Sequence, residues 1–155
     1  MSRLDALLSR LSVSGTLAPQ LFLVAFTLLM ILPGFFTLPP VDRDETRFAQ
    51  ASRQMIESGD LIDIRLGDGT RYKKPVGIYW LQTAALTLVG SEAHLHDIWA
   101  YRLTSALAAL CAVLLTYLIA LRLMGAEAAL LAGVLLAVGF VFGAEARLAK
   151  TDATL

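Results

Sequence analysis

The sequence predicts an all-α integral membrane protein: three transmembrane helices and one long outer loop that holds juxtamembrane helices and a small hairpin. Three observations carry this reading. Hydrophobic residues make up 57% of the 155 positions and mean hydropathy is +0.66, above the roughly 45–50% apolar content of soluble domains. No Asp, Glu, Lys, Arg or His occurs in Leu17–Leu38, Leu103–Leu121 or Ala128–Ala144. Each run has the length of about 17–25 residues that a helix needs to cross a hydrocarbon core. The runs are apolar all round, whereas helices of a soluble bundle keep a polar face.

The elements follow in order. Residues 1–16 place Leu4, Leu7, Leu8 and Leu11 on one helical face with Arg3, Asp5 and Arg10 around them, the pattern of a cytoplasmic interfacial segment. The first span is 17–38, an uncleaved anchor that contains Pro33 and Gly34, residues that membrane helices tolerate. The outer loop is 39–102. Within it Asp44–Ser58 reads as a helix capped by Asp44 and stopped by Gly59, and Leu61–Tyr72 reads as a hairpin around Gly67-Asp68-Gly69. The apolar stretch 76–90 is too short to cross comfortably and is expected at the interface, bracketed by Tyr79, Trp80, Trp99 and Tyr101 as aromatic belts are. The second span, 103–121, leads through a tight cytoplasmic turn, 122–127, into the third, 128–144, and 145–155 begins a second outer loop. Arg3, Arg10 and Arg122 put the amino terminus and the turn in the cytoplasm. The loop holds eight basic residues, but long loops translocate largely regardless of charge.

Composition also excludes some functions. Thirteen basic against thirteen acidic residues give no basic face for nucleic acid. The single Cys111 precludes an intrachain disulfide or a multi-cysteine zinc site. His94 and His96 form a lone H-x-H and are read as ordinary surface histidines.

Chemistry is expected from three polar clusters. In PPVDRDETRFAQASRQM, Asp42, Asp44 and Glu45 stand at a helix start beside the bilayer, with Arg43, Arg47 and Arg53 nearby. Acidic residues there serve as caps and dipole partners, and the same carboxylates, at the mouth of a membrane, can act as a general base or bind a divalent metal. In TRYKKPVGIYW, Lys73 and Lys74 suit anionic headgroups, and one of them, with Arg47 or Arg71, can hold a phosphate. In AEARLAKTD, Glu145, Arg147, Lys150 and Asp152 emerge on the same side as the loop.

A span followed by Asp44-Glu45-Thr46-Arg47-Phe48-Ala49, then Gly59-Asp60, Arg71-Tyr72-Lys73-Lys74-Pro75 and Tyr79-Trp80, resembles the amino-terminal part of family 39-type membrane glycosyltransferases with the C-type fold. The likeness is greatest to bacterial aminoarabinose transferases that modify lipid A. It covers nearly all of the chain and implies a polyprenyl-phosphate sugar donor, a lipid or protein acceptor, and a multi-pass protein of the bacterial inner membrane with its active-site loop in the periplasm. By resemblance, Asp44 matches the catalytic aspartate and Glu45 its partner. Arg47 and Lys74, with Arg71, match positions facing the lipid phosphate, and Asp152, with Glu145, matches the second acidic motif. Lys73 stands where aminoarabinose transferases tend to have Glu, which leaves the sugar and any metal open.

Two functions are therefore expected from different classes. One is a membrane glycosyltransferase, of which these 155 residues are expected to be the first portion. The other is a small non-catalytic membrane protein that binds anionic lipid or a partner through its outer loop.

Overall fold

A computed structural model of the chain describes residues 17–152 and is mostly helical. The expected interfacial segment 1–16, with Arg3 and Arg10, and residues 153–155 lie outside the described residues. The chain divides into two compact units: an apolar one, which takes in the residues up to Pro33 and Ala109–Ala144, and a polar one, Gly34–Ala108 with the residues from Glu145.

The apolar unit contains α1 (Ala18–Ile31), the later part of α5 (Ile98–Met124), and α6 (Ala126–Ala137). Leu23, Val113, Tyr117, Ala120, Ala129, Leu130 and Ala137 form its core. Gly133 sets how near α1 and α6 can come, because a Cβ there would lie 2.9 Å from Leu23 Cδ2. Leu21, Leu29, Leu115, Ile119, Leu123, Leu135 and Phe140 point outward, an exposed apolar surface that suits lipid and not water. At 27 residues, α5 is long and apolar enough to cross a membrane.

The other two apolar runs form shorter helices than expected. Pro33 has no N–H to continue α1, and Gly34 turns left-handed at φ +79, so Thr37 and Leu38 donate their N–H groups back to the Gly34 carbonyl. The expected span 17–38 is thus a helix of 14 residues followed by a turn. In the third run Gly139 donates to the Leu136 carbonyl at 3.1 Å and ends α6, and the chain resumes as α7 (Phe140–Glu145).

In the polar unit α2 (Arg43–Ser58) buries Glu45, Phe48, Ala49, Ser52 and Met55 along one face. The cap is Asp42 and not Asp44: its side chain accepts the Asp44 N–H at 2.9 Å, which starts the helix earlier than the sequence suggests. Gly59, at φ +72, closes it as expected. The hairpin is smaller than Leu61–Tyr72, with β1 (Arg65–Leu66) antiparallel to β2 (Gly69–Thr70) across a two-residue turn. Gln54 fastens that turn to α2 by bonding both the N–H and the carbonyl of Gly67. The stretch 76–90 becomes α3 (Gly77–Val89), whose 13 residues rise only about 20 Å. It packs on α2 through Phe48, Met55, Ile78 and Tyr79. A single helical turn, α4 (Ser91–His94), which the sequence does not announce, leads to the head of α5.

Candidate active site

The site lies in the polar unit, and its foundation is an ion pair buried on both sides. Glu45 is 0% exposed and Arg102 1%. Arg102 Nε donates to Glu45 Oε1 at 2.7 Å, and its other nitrogens reach the carbonyls of Phe35, Leu38 and Pro39. Glu45 Oε1 also accepts the Ala149 N–H at 3.1 Å, and Oε2 accepts the Val41 N–H at 3.2 Å. One carboxylate thus ties the start of α2 and the chain after α7 to the head of α5. With both oxygens engaged, Glu45 turns inward, away from its neighbour Asp44.

Successive helix residues are about 100° apart, so Asp44 points to another side of α2, toward solvent. Its side chain is 58% exposed, and Arg47 Nη1 lies 3.3 Å away. That geometry leaves an open carboxylate at a helix start, able to accept a hydrogen bond or a proton.

The second acidic motif is brought to the first by Lys150. Its ammonium stands 3.0 Å from Glu145, 3.2 Å from Asp152 and 3.4 Å from Asp42. Burial works to lower the Lys150 pKa, but hydrogen bonds and charge from Glu145, Asp152 and Asp42 outweigh it and hold the group above the ordinary lysine range. The Asp42 carboxyl lies below its usual value, chiefly through the Asp44 N–H and, against the opposing effect of burial, with help from Lys150. The carboxylates that meet here already share an ammonium. Among the described residues no group of three or more His, Cys, Asp and Glu side chains is arranged to hold a metal ion.

The basic cluster divides in two. Arg71 is buried at 8% exposure, lies 5.4 Å above the Phe48 ring and donates through Nε to Tyr79 Oη at 3.3 Å. Lys73 and Lys74 are exposed, and neither forms an ion pair among the described residues. A cavity of about 430 Å³ is lined by Gln54, Glu57, Ser58, Asp60, Asp63 and Arg65, none of them an expected site residue. His94 pairs with Asp97 at 2.9 Å, and His96 lies 3.0 Å from Arg53, contacts in keeping with surface histidines.

Several residues of this framework escape a reading of the sequence. Arg102 looks like a loop boundary, although a lone charge at the head of an apolar run is the available signal. Gln82 is a polar residue within an apolar helix. It is fully buried, accepts from Ser52 Oγ at 2.7 Å and donates to the Ala149 carbonyl at 3.2 Å.

Residues 73–155, more than half of the chain, match the family described as dolichyl-phosphate-mannose-protein mannosyltransferase. An undecaprenyl phosphate-alpha-4-amino-4-deoxy-L-arabinose arabinosyl transferase of Pectobacterium carotovorum is 36% identical over 109 residues, 69% of this chain and 18% of that protein. Two such transferases of Pseudomonas fluorescens are each 33% identical, one over 105 residues (64% of this chain, 17% of that protein) and one over 135 (83% and 24%). The chain therefore spans less than a quarter of the length of these relatives. No solved structure matches it.

Proposed function

The chain belongs to the glycosyltransferase family described as dolichyl-phosphate-mannose-protein mannosyltransferase, and from that premise we propose that it acts in sugar transfer from a polyprenyl-phosphate donor at the periplasmic face of a bacterial inner membrane. The acceptor in this reading is a lipid of the lipid A kind or a protein. The names of the relatives favour an undecaprenyl-phosphate donor. Lys73, in place of an acidic residue, leaves the sugar unassigned.

The observation that carries the proposal is that Lys150 gathers Asp42, whose side chain caps the Asp44 N–H, with Glu145 and Asp152. In the proposed reaction Asp44, the open carboxylate, takes the proton from the acceptor nucleophile as it attacks the anomeric carbon. The bond to the lipid phosphate breaks through an oxocarbenium-like state, and the configuration inverts. Lys74, Arg71 and Arg47 offset the charge growing on the departing phosphate. Glu45 holds the framework, and Asp152 and Glu145 supply the second acidic side. Three spans, with α3 at the interface, complete the topology of the proposal.

Transfer of radiolabelled sugar from polyprenyl-phosphate donors by the full-length gene product in membranes tests it. Asp44→Asn is expected to lower the rate about 100-fold or more, as loss of a general base does. Lys74→Ala is expected to weaken donor binding about ten-fold, as loss of a charge-assisted phosphate contact does. Unchanged transfer in Asp44→Asn would exclude the base.

One observation favours a second reading, a non-catalytic surface for anionic lipid. The exposed Lys73 and Lys74 adjoin α3, where Trp80, Leu81 and Leu88 are also exposed. Vesicle binding that survives Asp44→Asn and disappears with Lys74→Ala, in a protein without transferase activity, would select it.

A further inference from the structure

An ammonium is the meeting point of carboxylates from two distant stretches of the polar unit: Asp42 ahead of α2, and Glu145 and Asp152 around the end of α7. Lysine has a flexible stem, and in solvent its position would be loosely defined. Here the main chain beneath it is held from three helices. Glu45 accepts from the Ala149 N–H, Gln82 donates to the Ala149 carbonyl, and Ser105 Oγ donates to the carbonyls of Leu148 at 2.6 Å and Lys150 at 3.4 Å. The Lys150 side chain is only 14% exposed. Asp42 in turn receives the N–H of Asp44 at 2.9 Å, so a continuous set of contacts runs from Asp152 through Lys150 and Asp42 to the backbone of Asp44.

We propose that Lys150 is a positioning residue for the transfer reaction, its ammonium fixing the separation and the charge of the first and second acidic motifs. The inference rests on the reading that Asp44 and Asp152 act in sugar transfer. Removing the ammonium leaves Asp42, Glu145 and Asp152 to repel one another, with Arg43 the other cation acting on Asp42. The carboxylates would separate, and Asp42, which Lys150 helps to hold below its usual value, would keep its proton to higher pH. Arginine would keep the charge and much of the bridging.

The test uses the full-length gene product in membranes, with the amount of inserted protein measured for each variant. Lys150→Met is expected to lower kcat about ten-fold or more with donor KM changed less than about three-fold, the split left by loss of an interaction that serves the transition state. It should also move the acid limb of kcat upward by about 0.5 pH unit or more. Lys150→Arg should recover most of the rate. Asp42→Asn keeps a capping side chain and removes one anion beside Asp44, so it should move the acid limb downward; this reading decides the matter if Lys150→Met does not accumulate. A wild-type kcat and acid limb in Lys150→Met, equal losses in the Arg and Met variants with an unmoved limb, or an unmoved limb in Asp42→Asn would overturn the proposal. Asp44→Asn, assayed in parallel, separates the two claims. If it stays active, sugar transfer through Asp44 fails; if it is inactive while Lys150→Met behaves as wild type, only the role of Lys150 fails.

Discussion

Glu45 and Asp44 are neighbours in sequence and opposites in environment. Glu45 is buried against Arg102, and Asp44 is open beside Arg47. Removing one partner of a buried ion pair strands the other charge, so Arg102→Met should destabilise the polar unit by about 3–5 kcal/mol in detergent unfolding. Replacing both partners, as Glu45→Leu with Arg102→Met, should recover little, because the N–H groups of Val41 and Ala149 would also lose their acceptor. Full recovery in the double variant would show that the pair matters only to itself. Asp42 gives a pH prediction. Its folded pKa lies below the ordinary 3.8, so its contribution to stability is present above that value and is lost as pH falls through the lowered one. The acid unfolding midpoint of Asp42→Asn should differ from that of the parent protein, and an unchanged midpoint would contradict the linkage. The closeness of Arg47 to Asp44 was legible because the two lie three residues apart. The roles of Arg102 and Lys150 were not, since their partners lie 57 and 108 residues away.

Among the elements, α2 was the most legible, its amphipathic face and Gly59 stop being local signals. Its start was misplaced because the run Asp42-Arg43-Asp44 offers two acidic caps, and Asp42 is the one with the extended backbone that a cap requires. The apolar runs gave their positions but not their interruptions. Lack of charge marks an apolar segment, whereas Pro33 with Gly34 decides where helical hydrogen bonding stops in the first of them. Close approach of α1 and α6 rests on Gly133. Gly133→Val should cost about 1–3 kcal/mol by overpacking against Leu23, read as a lower unfolding midpoint in detergent. An unchanged midpoint would mean that the helices separate freely.

For the whole molecule, the proposed topology depends on α3 remaining on one side of the bilayer. Its 13 residues rise about 20 Å, short of a hydrocarbon core of about 30 Å, and its inner face packs on α2. With Cys111 replaced, cysteines at Ser58 and Ser91 should both react with an impermeant reagent added to spheroplasts. Labelling of only one would place a crossing between them and divide the proposed site. The central claim is that the two acidic motifs serve one transfer reaction. Single-turnover sugar transfer by Asp44→Asn, Asp152→Asn and the double variant tests it most directly. Residues that act as a unit are not additive, so each single variant should lose most of the rate and the double should be no slower than the slower single. A wild-type rate in either single variant, or losses that multiply in the double, would contradict a shared site.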